Sequence, residues 1–232
     1  MRLSIIIPVY NEETTIGELI DRVERVDIGN IEMEIIVAND GSTDTSATII
    51  ENRRQSHPNL IQAYSMPINL GKGAAIRLGL FHATGDVILI QDADLELDPN
   101  EYGALLQPIR DGRTDVVYGS RFMNARKRKI ALKSRLANSF LTRLTNLLFG
   151  THLTDMETAY KVFRRQALEG IRLRCVHFDF EPEITGQLAK HKQRILEVPI
   201  SYNPRRADEG KKISWVDGVE AIYTLLRVRF SK

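Results

Sequence analysis

Hydrophobic and polar positions change period repeatedly along the first 120 residues. LSIIIPVY, from Leu3 to Tyr10, is a continuous apolar run rich in isoleucine, the pattern of a strand covered on both faces. From Glu12 the spacing turns helical, with Ile16, Leu19, Ile20, Val23 and Val26 on one stripe and Thr14 or Thr15 near the cap. EIIVA (34–38) predicts a second strand, followed by the turn NDGSTD and a helix from about Asp44 to Arg54. NLIQAYS reads as a weaker third strand, GKGAAIRLGLFHAT as a helix, DVILIQ as a fourth strand and DVVYGS (115–120) as a fifth. Further on, Leu136, Phe140, Leu141, Leu144, Leu147 and Leu148 form an apolar stripe at helical spacing. YKVFRR predicts a returning strand, FEPEITGQLAKH a helix, RILEVPISY a strand and SWVDGVEAIYTLLRVRF an amphipathic helix.

Strands separated by helices are βαβ units, so the fold class is α/β, with a mostly parallel, Rossmann-like sheet flanked by helices. Ligands of such sheets sit beyond the carboxyl ends of the strands. Four polar clusters fall there: YNEE, NDGSTD, QDADLE and GSR. At 232 residues and 43% hydrophobic, the chain suits a single domain, 1–232. It divides into a half of βαβ units (1–120) and a basic half of different character (121–232).

Charge sharpens that division. Residues 1–115 carry 9 Lys and Arg against 19 Asp and Glu, a net of −10, whereas residues 116–232 carry 23 against 11, a net of +12. An acidic half suits cations; a basic half suits phosphates or anionic lipid. No acidic residue falls between Asp115 and Asp155. The single Cys175 precludes an internal disulfide and suits a reducing compartment. MRLSIIIPVYNEE is too short in its apolar run to be a secretory leader. No window supplies the roughly 18 consecutive apolar residues of a spanning helix. Membrane association is therefore expected from the surface, on the cytoplasmic face, or through an anchoring partner protein.

The segment DVILIQDADLELDPN ends a buried strand in repelling carboxylates. In extended backbone alternate residues share a side, so Asp92, Asp94 and Glu96 are expected to converge on a divalent metal, Mg²⁺ or Mn²⁺. Asp98, just before Pro99, reads instead as a helix cap. NLGKGAA sets two glycines at a helix start, where free N–H groups suit anions, but it lacks the phosphate-loop spacing. Lys72 within it either touches a bound anion or is solvated. His57, His82, His152, His177 and His191 show no ligand spacing.

IIIPVYNEE, NDGSTD, NLGKGAA, DADLE and GSR, in this order, resemble family 2 glycosyltransferases of the GT-A fold. The likeness is to the dolichyl-phosphate mannose synthase and polyprenyl-phosphate glycosyltransferase group. TDMETAYKVFRR, FDFEPEIT and RRADEGKKI extend it over nearly the whole chain. It implies transfer of a hexose from a nucleotide sugar, GDP-mannose or UDP-glucose, to a dolichyl or polyprenyl monophosphate with inversion. It makes 1–120 the nucleotide-sugar-binding half and 121–232 the half facing acceptor and membrane, and it places Pro8, Tyr10 and Glu12 around the nucleoside, Asp40 on the base and Lys72, where not solvated, on the donor diphosphate. It makes Asp94 and Glu96 metal ligands, with Asp92 assisting or contacting the donor. Many mannose synthases of the group carry Gln where this chain has Glu96, a change that bears on metal or donor preference.

The same likeness makes Arg121 and Arg135 clamps on the acceptor phosphate, a role suited to arginine's planar fork. Arg205, Arg206 and Lys211 match a stretch that closes over the site. The stripe at 136–148 and the final helix either close the core or lie on the bilayer as amphipathic interface helices. RKRK (126–129) reads as membrane-facing or as a solvated loop. The basic charges have no aromatic residues interleaved, which argues against nucleic acid. Two rivals stand: a family 2 enzyme acting on a carbohydrate or small-molecule hydroxyl, and a non-catalytic membrane-surface module. The Q-x-x-R-W motif of processive synthases is absent, the one tryptophan being Trp215 in ISWVDG. A dehydrogenase is disfavoured because no G-x-G-x-x-G follows the first strand.

Overall fold

Isoleucine-rich runs too apolar to leave either face in water end up at the centre of a seven-stranded sheet. The computed structural model describes residues 1–123, 132–205 and 215–231. Its strands are β1 (Arg2–Val9), β2 (Glu32–Asn39), β3 (Ile61–Ser65), β4 (Val87–Ile90), β5 (Val116–Ser120), β6 (Lys161–Arg164) and β7 (Ile195–Pro199). The order is β3-β2-β1-β4-β6-β5-β7, and only β6 runs against its neighbours. Leu3 to Val9 are all buried. Pro8, in this central strand, faces the β4 side, where pairing has already ended at Ile6 and Ile90. Its missing N–H therefore costs no ladder bond.

The helices are α1 (Ile16–Glu24), α2 (Ser46–Ser56), α3 (Lys72–His82), α4 (Tyr102–Arg110), α5 (Leu132–Phe149), α6 (Phe180–Lys190) and α7 (Trp215–Phe230). One core packs Ile5, Ile7 and Leu89 against α1, α2 and α4; the other packs Ile6, Ile88 and Ile90 against α3, α5, α6 and α7. Asp98 caps the turn at Pro99–Glu101 that leads into α4, its side chain accepting from the Asn100 N–H, as the sequence suggests.

Reversal of β6 has a geometric result. The chain leaves the sheet after Ser120 and re-enters beside the same strand, with Tyr118 opposite Lys161 and the Gly119 N–H donating to the Tyr160 carbonyl at 2.9 Å. The start of β6 thus lies at the edge where β1, β2, β4, β5 and β7 end.

Candidate active site

Seven chain segments meet along that edge: 10–13, 40–46, 69–73, 91–98, 120–122, 154–160 and 200–205. Charged side chains pair there in three sets, Lys72 with Asp92 and Glu181, Arg205 with Glu12, and Arg121 with Asp155.

The three carboxylates after β4 do not converge. Beyond Ile90 the backbone bends, and the Asp94 side chain accepts the Glu96 N–H at 3.1 Å. Period-two reasoning ends with the strand. Asp92 turns to Lys72, whose Nζ lies 2.8 Å from Oδ1 and 3.0 Å from Oδ2. Glu96 turns away to accept the Tyr202 hydroxyl at 2.9 Å and the Arg205 N–H at 2.8 Å. Among the described residues no three of His, Cys, Asp and Glu are arranged to hold a metal ion. Asp94 sits between its acidic neighbours, with Oδ2 accepting no hydrogen bond from the described residues. Burial, then the Asp92 and Glu96 charges, push its carboxyl up to about 7 against the pull of Arg205.

The glycine-rich start of α3 is filled by protein rather than open to anions. The Gly73 N–H donates to the His177 carbonyl at 2.8 Å and the Ala74 N–H to Val176 at 3.0 Å. Gly71 has φ +111°, and a Cβ there would lie 2.4 Å from the Val176 carbonyl oxygen, so glycine serves close packing of two loops. Asp40, expected on a base, is 2% exposed and accepts the Leu70 and Gly71 N–H groups, both at 2.7 Å. Burial nonetheless raises its pKa. It holds this turn. Lys72 is neither solvated nor reaching outward: its Nζ is clasped by Asp92 and by Glu181 at 2.8 Å. Glu181, from α6, had no signal in the sequence, because its partner lies 109 residues away.

Residues 202–205 form a strap across the acidic end. Besides the Glu96 bonds, Arg205 donates through Nη2 to Glu12 at 2.6 Å and through Nη1 at 3.3 Å. Glu12 also accepts the Thr15 hydroxyl at 2.8 Å. Pro8 is buried within β1, while Tyr10 is half-buried at the rim. The sequence reading that set Glu12 and Arg205 on donor and acceptor thus finds them paired with each other. Arg206 and Lys211 lie outside the described residues, as do Arg126, Lys127, Arg128 and Lys129.

Arg121 is not free either. Its Nε and Nη2 form a fork with Asp155 at 2.7 and 2.8 Å, and the Tyr202 ring lies 5.3 Å from its Cζ. The Arg121 side chain keeps 17% exposure and Asp155 none. Arg135 stands exposed on α5 and has no place in this network. Nearby, Lys161 is fully buried, its Nζ donating to the Met156 and Thr158 carbonyls and lying 4.4 Å from the Tyr118 ring centroid. Burial brings its ammonium down to about 8.

With this geometry in view, the relatives fall into place. Residues 4–172 match the model of glycosyl transferase family 2. The chain belongs to that family. A dolichyl-phosphate beta-glucosyltransferase of Trichomonas vaginalis is 32% identical over 90% of this chain and 66% of its own. An undecaprenyl-phosphate 4-deoxy-4-formamido-L-arabinose transferase of Proteus mirabilis is 30% identical over 97% of this chain and 67% of its own. The chain thus spans about two thirds of these relatives. Glucosyl-3-phosphoglycerate synthase of Mycobacterium tuberculosis, solved with Mn²⁺, uridine diphosphate and phosphoglyceric acid, superposes with a TM-score of 0.72 at 21% identity. It covers 100% of this chain and 79% of that one. The fold is GT-A, and the class of reaction is glycosyl transfer.

One carboxyl of this family 2 glycosyltransferase has no assigned work. Glu157 lies between Arg121 and Lys161, and its Oε1 is buried with no hydrogen-bond partner among the described residues. Burial, then Glu181, push it from 4.5 up to about 7. The native state therefore holds an extra proton between those values, and stability falls as pH rises through that window. Glu157→Gln should raise stability by about 1–2 kcal/mol near pH 8 and leave it unchanged below about pH 4. Urea unfolding at both pH values checks this; equal midpoints at pH 8 contradict it.

Proposed function

We propose that this chain transfers a hexose from a nucleoside diphosphate sugar to a polyprenyl or dolichyl monophosphate at a membrane surface, with inversion. The observation that carries the reading is a single edge holding both an acidic pocket around Asp94 and the Arg121 fork. The 202–205 strap touches both. The names of the polyprenyl-phosphate relatives support the acceptor class.

A divalent metal fits this edge. Asp94 Oδ2 is open between two acidic neighbours, and Mg²⁺ is typically held by one or two carboxylates together with substrate phosphates. Asp94 would hold the ion with help from Asp92, while Glu96 is occupied by the strap. When bound, such an ion stabilises charge developing on the leaving diphosphate. The rest falls to the chain. Lys72 holds Asp92 in place. Arg121 presents its remaining N–H groups to an anionic acceptor and aligns it. A lipid monophosphate has a second pKa of about 6, so it arrives near neutral pH largely as a dianion and needs no strong base. Arg205 and Tyr202 bring the strap over the acids and limit water. Arg135, on the outer face of α5, would meet the acceptor only as it approaches.

The surface opposite the sheet supports a bilayer. Leu132, Leu136 and Phe140 on α5 and Val219, Tyr223 and Phe230 on α7 are exposed. Lys133, Arg135 and Arg143 accompany them, an arrangement suited to anionic headgroups. Among the described residues no helix is long and apolar enough to cross a membrane. We place the chain peripherally on the cytoplasmic face.

The second reading, a hydroxyl acceptor, would need a base. Glu157, pushed up to about 7 beside Arg121, is the observation in its favour. The test offers labelled GDP-mannose and UDP-glucose with Mg²⁺ or Mn²⁺, anionic vesicles and a short polyprenyl phosphate. Label entering the organic phase supports the proposal. Label appearing only on water-soluble glycosides favours the rival. Neither transfer nor donor hydrolysis would indicate a non-catalytic module.

A further inference from the structure

Asp155 was not singled out by its own residue type or spacing, yet it is the hub of the basic half. Its carboxylate accepts four donors: the Arg121 N–H at 3.0 Å, Nε at 2.7 Å, Nη2 at 2.8 Å and the Asn138 side-chain amide at 2.8 Å. Asn138 belongs to the buried face of α5, whose opposite face exposes Leu132, Leu136 and Phe140. One helix thus carries an outward apolar stripe and an inward bond to the carboxylate that holds the arginine fork.

The backbone around Asp155 is held independently of that bond. Glu197 on β7 accepts the Thr154 and Asp155 N–H groups at 2.8 and 2.9 Å, and the Thr154 hydroxyl lies 2.6 Å from that of Ser120 on β5. The loop is therefore fixed by two strands without Asn138. A buried ion pair is also a weak source of stability, since desolvation offsets its attraction. What the Asn138–Asp155–Arg121 chain does specify is direction. Asp155 occupies one edge of the guanidinium, and Asn138 fixes the carboxylate oxygen that receives Nη2. The other edge of Arg121 is thereby aimed.

We propose that Asp155 and Asn138 are positioning residues that bolt the Arg121 fork to helix α5, so that the acceptor clamp and the lipid-facing helix move as one body. This rests on the reading of Arg121 as an acceptor-phosphate clamp. It assigns Asn138 an effect on acceptor use with no direct contact to the substrate.

The test compares Asn138→Leu with Leu141→Ala, which loosens the same helix through its apolar packing and leaves the polar bolt intact. Asn138→Leu should raise KM for a polyprenyl phosphate by about tenfold, the size expected for one hydrogen bond to a charged group. KM for the nucleotide sugar should stay within about twofold, as should metal-dependent donor hydrolysis. Leu141→Ala should lower the melting temperature at least as much while leaving acceptor KM near that of the unaltered chain. An unchanged acceptor KM in Asn138→Leu overturns the proposal, as does an equal rise in Leu141→Ala. If the unaltered chain transfers no sugar to polyprenyl phosphate, the acceptor reading itself fails, and the positioning role falls with it.

Discussion

Asp94→Asn abolishes nearly all sugar transfer while leaving a protein more stable than the parent. The two halves of this expectation come from one cause. Asp94 is half-buried between Asp92 and Glu96, and burial, then those two charges, push its carboxyl from 3.8 up to about 7. Without a cation, the native state resists ionising it. Stability contributed by the protonated form is therefore lost as pH rises from about 4 to 7. Amide at this position removes the cost, so in the presence of chelator the variant should unfold at higher urea near pH 8, by about 1–2 kcal/mol. The transfer rate should nonetheless fall on the order of a thousandfold, the scale of losing charge stabilisation at a leaving group. Steady-state transfer and urea titration, each with and without Mn²⁺, check both. Wild-type turnover in the variant, or full activity of the parent with chelator, would remove the metal from the proposed reaction.

Arg121 calls for a gentler change than truncation. Alanine would strand Asp155, fully buried, without its counterion, and breaking a buried pair in this way costs about 3–5 kcal/mol. Loss of fold would then be confused with loss of function. Arg121→Lys keeps the charge and gives up the planar fork. We expect it to fold, to raise KM for the lipid acceptor by about 10- to 100-fold, and to leave donor KM within about twofold. Isothermal titration with donor alone, beside acceptor-dependent kinetics, separates the two. Equal losses toward donor and acceptor would contradict the assigned role, since they would make Arg121 a support for the whole edge.

What the sequence disclosed, and what it concealed, divides by distance along the chain. Short-range physics was readable. The buried run Val87–Ile90, the stripe Ile16–Val23, the Asp98 cap and the polar clusters at strand ends follow from period, burial and capping. The expectation that polar clusters gather at one edge also held, because parallel strands end together. The partners of those clusters could not be read. Asp92 with Lys72 is a pair 20 residues apart, Lys72 with Glu181 spans 109, and Glu12 with Arg205 spans 193. No local rule encodes such meetings. Two inferences failed for identifiable reasons. The fan of three carboxylates presumed extended backbone where the chain bends and the Asp94 side chain accepts the Glu96 N–H. The anion site at α3 presumed free N–H groups where residues 176–177 supply carbonyls. Asp155 and Glu157 were visible only as letters within a motif, since nothing nearby announces which arginine or lysine will face them.

The backward course of β6 has a consequence for how such proteins diversify. Residues 121–160 depart from and rejoin the sheet at adjoining positions, Tyr118 lying opposite Lys161. This excursion contains Arg121, its partner Asp155 and the helix with the greasy outer stripe. Exchange between relatives would replace Arg121, Asp155 and α5 in a single recombination, and the strands of the sheet would keep every one of their ladder partners.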